Sequence, residues 1–211
     1  MATPSSPSPN PYYDPSRDLV AHIQAYERSG DVGTLLDALR DLAARATPEA
    51  LKGAAKPYTS MPEVVVPLYE RIVAASPNDA QAMVVLANAY WLTGRGPAAV
   101  NELASRAKSV DPTNRGAWHL WALAESSVRK RVERWLEVTK QFPADQLARA
   151  ALADNATSLA SEEDDPVALK LAVDTYEGLL AESTQTAQRL ALEETLRKLK
   201  NWNAGSAEHA H

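Results

Sequence analysis

Four histidines are the first residues in this chain that could do chemistry: His22, His119, His209 and His211. His209 and His211 make an H-x-H pair in a small, polar stretch. A metal site needs further ligands held on a rigid frame, so the pair reads as a solvated tail. His22 and His119 sit far apart, each in an apolar helical pattern, where a packed or groove-facing imidazole is expected. His119 with Ser126 has the residue types of a base and a nucleophile. Two helical turns, about 10 Å, would separate them, too far for the direct hydrogen bond of a dyad. The chain has no cysteine, which removes thiol chemistry, disulfides and Cys-based zinc sites.

The charged clusters read in the same way. Glu162-Glu163-Asp164-Asp165 precedes a helix. Asp165 is its expected N-cap, and its neighbours favour the positive end of the helix dipole. A calcium loop would need alternating ligands and a turn glycine, which this run lacks. Arg129, Lys130, Arg131 and Arg134 gather at a hairpin turn. They are expected to form a solvated face or an electrostatic contact with an acidic segment of a partner. The net charge of −5 counts against nucleic acid. Gly94-Arg95-Gly96 lacks the strand and spacing of a phosphate loop and reads as a hairpin turn. No catalytic residue, metal site or cofactor emerges from these residues.

The elements that carry them are helical. Residues 1–14 hold Pro4, Pro7, Pro9 and Pro11 among Ser and Thr, a composition expected to be disordered or polyproline II. Residues 203–211 read as a flexible tail. Between them, apolar periodicity predicts helices near 15–29, 32–46, 48–56, 61–76, 80–93, 97–110, 115–127, 129–142, 145–161, 166–182 and 185–201. Asp14-Pro15, Thr47-Pro48 and Asp165-Pro166 mark helix starts, and Ser60 with Glu63 has capping-box spacing. Pro67 is expected to kink or shorten its helix. Val64-Val65-Val66 is the nearest candidate for a strand but lies inside a better helical pattern. No secretory leader and no apolar run long enough to span a bilayer is evident, so a cytoplasmic location without membrane insertion is expected.

A period links the helices. Pro77, Pro112 and Pro143 follow one another at spacings of 35 and 31, in the range of stacked helical hairpins. Here the sequence resembles the tetratricopeptide repeat family, whose unit of about 34 residues carries W-x₂-L-G-x₂-Y in its first helix, then Ala, an aromatic and Pro. Leu86, Ala87, Tyr90, Gly94 and Ala99 match one unit. Trp118, Trp121, Ala122, Trp135 and Pro143 match the next. Tyr69, Ile72 and Pro77 match the second helix of the unit before. Ala25, Tyr26 and Gly30 fit loosely near the N-terminus, as do Ala172, Tyr176 and Leu179 near the C-terminus.

The resemblance implies an all-α fold, a right-handed α-α superhelix of stacked antiparallel hairpins, over residues 15–202. The best repeats fall at 62–143. A helix at 185–201, with Leu190, Leu196 and Leu199 on one side, would serve as the capping helix that such arrays need at an open end. It also implies a concave groove lined by first helices. Gln81, Val84, Asn88, Trp91 and Leu92 would face it from one repeat, His119, Leu123, Ser126 and Ser127 from the next, and Gln24, Glu27 and Arg28 from the N-terminal one. A known clamp for C-terminal carboxylates pairs Lys with Asn in this family; Asn88 is present, but Val84 stands in place of the Lys. The function expected from this reading is non-enzymatic: a scaffold that binds a partner peptide or helix in the groove. The alternative is a permanent structural subunit or assembly factor of a larger complex, its Pro-rich arm with Tyr12 and Tyr13 reaching over a neighbour. An enzyme or small-molecule carrier has no support beyond the groove itself.

Overall fold

A computed structural model describes residues 10–208 of the chain, the side chains of 203–208 apart. Residues 1–9 of the Pro-rich arm and the tail histidines His209 and His211 lie outside the described residues. Eleven α-helices form among the described residues. They are α1 (Ser16–Ser29), α2 (Val32–Arg45), α3 (Pro48–Ala55), α4 (Pro62–Ala75), α5 (Ala80–Leu92), α6 (Pro97–Val110), α7 (Arg115–Leu123), α8 (Val128–Gln141), α9 (Gln146–Glu163), α10 (Pro166–Glu182) and α11 (Thr186–Glu208). No strand occurs among them; Val64, Val65 and Val66 are buried inside α4.

The chain divides into two compact units, Met1–Leu120 and Trp121–His211, with the boundary inside α7. In the first, α1 packs on α2 and α3, α2 and α3 pack on α4, α4 on α5, and α5 on α6. In the second, α8 packs on α9, α9 on α10, and α10 on α11. The result is an all-α fold of stacked antiparallel hairpins, the helical solenoid type. Its core alternates large and small residues. Leu39, Leu42, Leu51, Leu68 and Met83 are fully buried, and Ala82, Ala87, Ala104 and Ala107 are equally inaccessible. The alanines let neighbouring helices approach closely enough for the large side chains to interlock.

One turn recurs at three of the junctions where one hairpin hands over to the next: α4 to α5, α6 to α7 and α8 to α9. Asp79 N–H donates to the Ser76 carbonyl at 3.0 Å, Asn114 N–H to Asp111 at 3.1 Å, and Asp145 N–H to Phe142 at 3.0 Å. Pro77, Pro112 and Pro143 occupy the second position of these turns, where a fixed φ is favoured. The fourth residue then caps the new helix. Asp79 Oδ1 accepts from Ala82 N–H at 2.9 Å, Asn114 Oδ1 from Ala117 N–H at 3.1 Å, and Asp145 Oδ1 from Leu147 and Ala148 N–H. Proline, spacer and cap thus form one three-residue device. The expected caps Thr47 and Asp165 are also present, accepting from Ala50 N–H and from Val167 and Ala168 N–H.

Several expectations are corrected. Met61, with no side-chain cap bond, occupies the cap position of α4, so Ser60 and Glu63 do not close a capping box. Pro67 does not shorten α4, which runs on to Ala75; standing in the second turn, it forgoes one ladder bond. The stretch 10–14 is not loose. Asn10 N–H donates to the Arg45 carbonyl at 2.9 Å, Tyr13 hydroxyl donates to Asp18, the Arg45 guanidinium lies 4.8 Å from the Tyr13 ring centre, and Pro15 is buried. Asp14 does not occupy the N-cap of α1; Pro15 does, while Asp14 Oδ1 accepts from Ser16 N–H at 2.9 Å. The helix α11 continues to Glu208, into residues whose composition reads as tail. Its buried stripe uses Leu196 and Leu199, whereas Leu190 points outward, 62% exposed.

If the proline-led caps set the hairpin angles, Asn114→Ala and Asp145→Ala each lower stability by about 1 kcal/mol. Urea unfolding of each variant measures this, and unchanged midpoints would contradict it.

Candidate functional site

The face of α5 follows from its register. Leu86, Ala87 and Ala89 turn into the stack and are buried. Gln81, Val84, Asn88, Trp91 and Leu92 recur at helical spacing on another side. Gln81 and Asn88 are exposed, Val84 is half-buried, and Trp91 and Leu92 remain 42% and 59% exposed at the end of the helix. Gln81 Oε1 accepts from Asn114 Nδ2 at 3.4 Å. Val84 lies under the start of α7: a Cβ built on Gly116 would come within 3.0 Å of Val84 Cγ1. Glycine at 116 therefore permits the close approach that half-covers Val84. His119, one turn further along α7, is half-buried.

Tyr90 and Gly94, beside this strip, are committed elsewhere. The Tyr90 hydroxyl donates to Glu70 Oε1 at 2.8 Å, and Arg95 lies over its ring at 5.3 Å from the centre. Burial, then the bond to the Glu70 carboxylate, pushes the phenol up to about 12. Gly94 has φ 68° and Gly96 φ 92°, left-handed values that glycine adopts without strain. The glycine pair makes the hairpin turn between α5 and α6. Cations over aromatic rings are a feature that apolar periodicity did not reveal. Lys108 sits 4.2 Å from the Trp118 ring centre and Arg134 4.6 Å from that of Trp121. Their only trace in the sequence is a basic residue on the second helix of a hairpin. Trp118 also donates its indole N–H to the Pro112 carbonyl at 2.9 Å, which ties it to the recurring turn.

In the second unit α7 ends at Leu123, which is 36% exposed. Ser126 and Ser127 therefore leave the helical face that a longer helix would have given them. Ser127 is the N-cap of α8, its hydroxyl facing Lys130 N–H at 3.5 Å, and its own N–H donates to Glu125 Oε1 at 3.0 Å. The helix break also removes the shared face that would relate Ser126 to His119.

The basic cluster is largely engaged inside its own unit. Arg129 pairs with Glu163 and Asp165. Arg131 donates to Asn155 Oδ1 at 2.6 Å and to the Glu125 carbonyl at 2.9 Å. Arg134 pairs with Glu125 at 2.8 Å and donates to the Trp121 carbonyl at 2.6 Å. Lys130 stays exposed. The expected acidic partner is replaced by acids of the chain itself, the run at 162–165 among them. Asp165 both caps α10 and receives Arg129; the Ala168 N–H first, and then that guanidinium, hold its carboxyl below the usual range.

Among the described residues no cluster of three or more His, Cys, Asp or Glu is arranged to hold a metal ion, and no helix is long and apolar enough to cross a membrane. No family model matches the chain, and no curated protein does. Solved structures do. A crystal structure of MamA is 15% identical, with a TM-score of 0.55 over 82% of this chain and 97% of that one. A thermophilic TPR protein of Thermus thermophilus is 18% identical, with a TM-score of 0.52 over 88% of this chain and 98% of that one. The 41-end form of MamA from Desulfovibrio magneticus is 15% identical, with a TM-score of 0.54 over 82% and 99% of the two chains. At such identities the likeness is one of fold: a helical solenoid of the tetratricopeptide type.

The Glu125 carboxyl is held below its usual range by the Ser127 N–H and the Arg134 guanidinium, against the opposing effect of burial. A depressed carboxyl contributes stability above its unfolded pKa and loses it as pH falls through the folded one. Glu125→Gln is therefore expected to be less stable than the parent at neutral pH, with the gap closing in acid below the ordinary glutamate range. Thermal melts across pH test this; a gap that persists in strong acid contradicts it.

Proposed function

We propose that the chain is a non-enzymatic protein-interaction scaffold, and that a partner peptide or helix docks along α5, anchored at Trp91 and Leu92. The observation that carries this reading is the pair itself. A tryptophan and a leucine stand adjacent and largely exposed at a helix end where the neighbouring Tyr90 is bonded and covered. Tryptophan gives large contact area at low entropic cost and is enriched among residues that dominate binding energy. Gln81 and Asn88, exposed on the same side, supply hydrogen-bonding groups that fix register, and His119 borders the strip. The fold supports the reading in general terms, since solenoid scaffolds present extended surfaces to protein partners. The surface proposed here leaves out Ser126, Ser127, Arg129, Arg131 and Arg134: Ser127, Arg129, Arg131 and Arg134 serve in capping and internal bonds, and Ser126 lies beyond the end of α7.

The test compares three versions of the chain as bait in its native host's extract, followed by titration of the purified partner. The parent and Leu147→Ala, which alters an exposed leucine elsewhere, should retain the same partner. Trp91→Ala with Leu92→Ala should weaken it by roughly thirtyfold or more, as loss of about 2 kcal/mol at an anchor implies. Equal affinity in all three would remove the proposed surface.

A further inference from the structure

A cleft opens on the other side of α5. Leu86 and Tyr90, one turn apart, face away from Gln81, Val84, Asn88 and Trp91. On that side α4 and α6 both pack on α5, and Ala74 of α4 and Ala99 of α6 line the gap. Alanines are too small to close it. A cleft of about 330 Å³ remains, within the size range of small-ligand sites. We propose that this cleft binds a small organic ammonium ion with an apolar body.

The floor supplies the apolar half of the match. Val73, Leu86 and Leu103 line it, each otherwise buried in the stack. A hydrocarbon group seated on them leaves water for an apolar surface.

The walls supply the charge. Glu70 stands on the α4 wall and Glu102 on the α6 wall. The Tyr90 hydroxyl donates to Glu70 Oε1 at 2.8 Å, which leaves Oε2 to accept from a ligand. The nearby guanidiniums are loosely placed. Arg95 approaches Glu70 at 3.7 Å and Arg106 approaches Glu102 at 3.8 Å, with all four side chains largely in solvent. Exposed pairs of that length are weak, so an ammonium head displaces them at little cost.

The field at the wall has the matching sign. Burial is the first cause that raises the Tyr90 phenol, but among the charges Glu70 and Glu102 together outweigh Arg95. An ammonium head brings three donors and is attracted by both carboxylates. A carboxylate head is repelled by both.

The test uses 3-phenylpropylammonium, a probe of about ten non-hydrogen atoms for which a roughly millimolar Kd is expected. The full chain, carrying labelled methyl groups, is titrated to about 10 mM probe, several times that Kd. NMR follows the methyls of Val73, Leu86 and Leu103 and the indole N–H of Trp91. Saturable shifts are expected at the three methyls, with Trp91 unmoved. The neutral 3-phenylpropanol should bind about tenfold more weakly, for want of the charge-assisted bonds. The anion 3-phenylpropionate should not bind. Glu102→Gln, at an exposed position, should weaken the ammonium probe by roughly fivefold or more. Ala74→Leu, which fills the mouth from an exposed position, should abolish binding. An unchanged Trp91 signal in both variants reports an intact fold. Absence of saturable shifts would overturn the site, as would equal binding of the alcohol or full binding by Ala74→Leu. Shifts at Trp91 with still methyls would also overturn it. None of these readings depends on the docking pair Trp91 and Leu92, whose own test stands apart.

Discussion

The structure depends on a short turn that closes over proline and ends in a helix cap. Ser76–Asp79, Asp111–Asn114 and Phe142–Asp145 repeat it with nearly equal hydrogen bonds. Proline restricts φ at its second position, and the side chain of the fourth satisfies the first free N–H groups of the next helix. One device thus ends a hairpin, starts another and sets the angle between them. A single hairpin cannot bury its apolar face, so that angle decides which faces meet.

What meets is governed by size. Fully inaccessible alanines such as Ala87 and Ala104 bring helices together, and Leu68, Ile72 and Met83 fill the layer between them. The larger aromatics Tyr90, Trp118 and Trp121 lie at the margins, half-buried, where their polar ends need partners. Tyr90 is bonded to Glu70, Trp118 to the Pro112 carbonyl, and Trp121 is covered by Arg134. In the second unit Tyr176 bonds to Asp154, and burial followed by that carboxylate raises its phenol. The same polar groups that would draw attention as candidate chemistry are therefore occupied in holding margins closed. Trp91 and Leu92 contrast with them on the outer side of α5.

Much of the fold was legible because its signals are local. Thr47-Pro48 and Asp165-Pro166 name two helix starts, Gly94 and Gly96 name a turn, and the proline spacing names the repeat. The errors arise where two local signals compete or where the partner is distant in sequence. The apolar pattern of α7 runs on through residue 127 in the sequence alone, but Ser127 gains more as a cap for α8, so the helix stops at Leu123 and two expected groove residues go with it. Arg129 looks available until folding brings Glu163 and Asp165, more than thirty residues away, beside it. Leu190 has the right spacing for the buried stripe of α11, yet the helix presents Leu196 and Leu199 instead. Gln81, Asn88, Trp91 and Leu92, which the repeat resemblance turns toward a groove, are exposed on one side of α5.

Within α5, Leu86 is buried in the stack while Trp91 and Leu92, the proposed docking pair, stand exposed. The stability cost of single alanine substitutions at Leu86, Trp91 and Leu92 measures this difference. Leu86→Ala should cost about 2–5 kcal/mol, as for a buried leucine, while Trp91→Ala and Leu92→Ala should each cost no more than about 1 kcal/mol. A loss at Trp91 as large as that at Leu86 would make the tryptophan part of the core and remove it from the proposed docking pair.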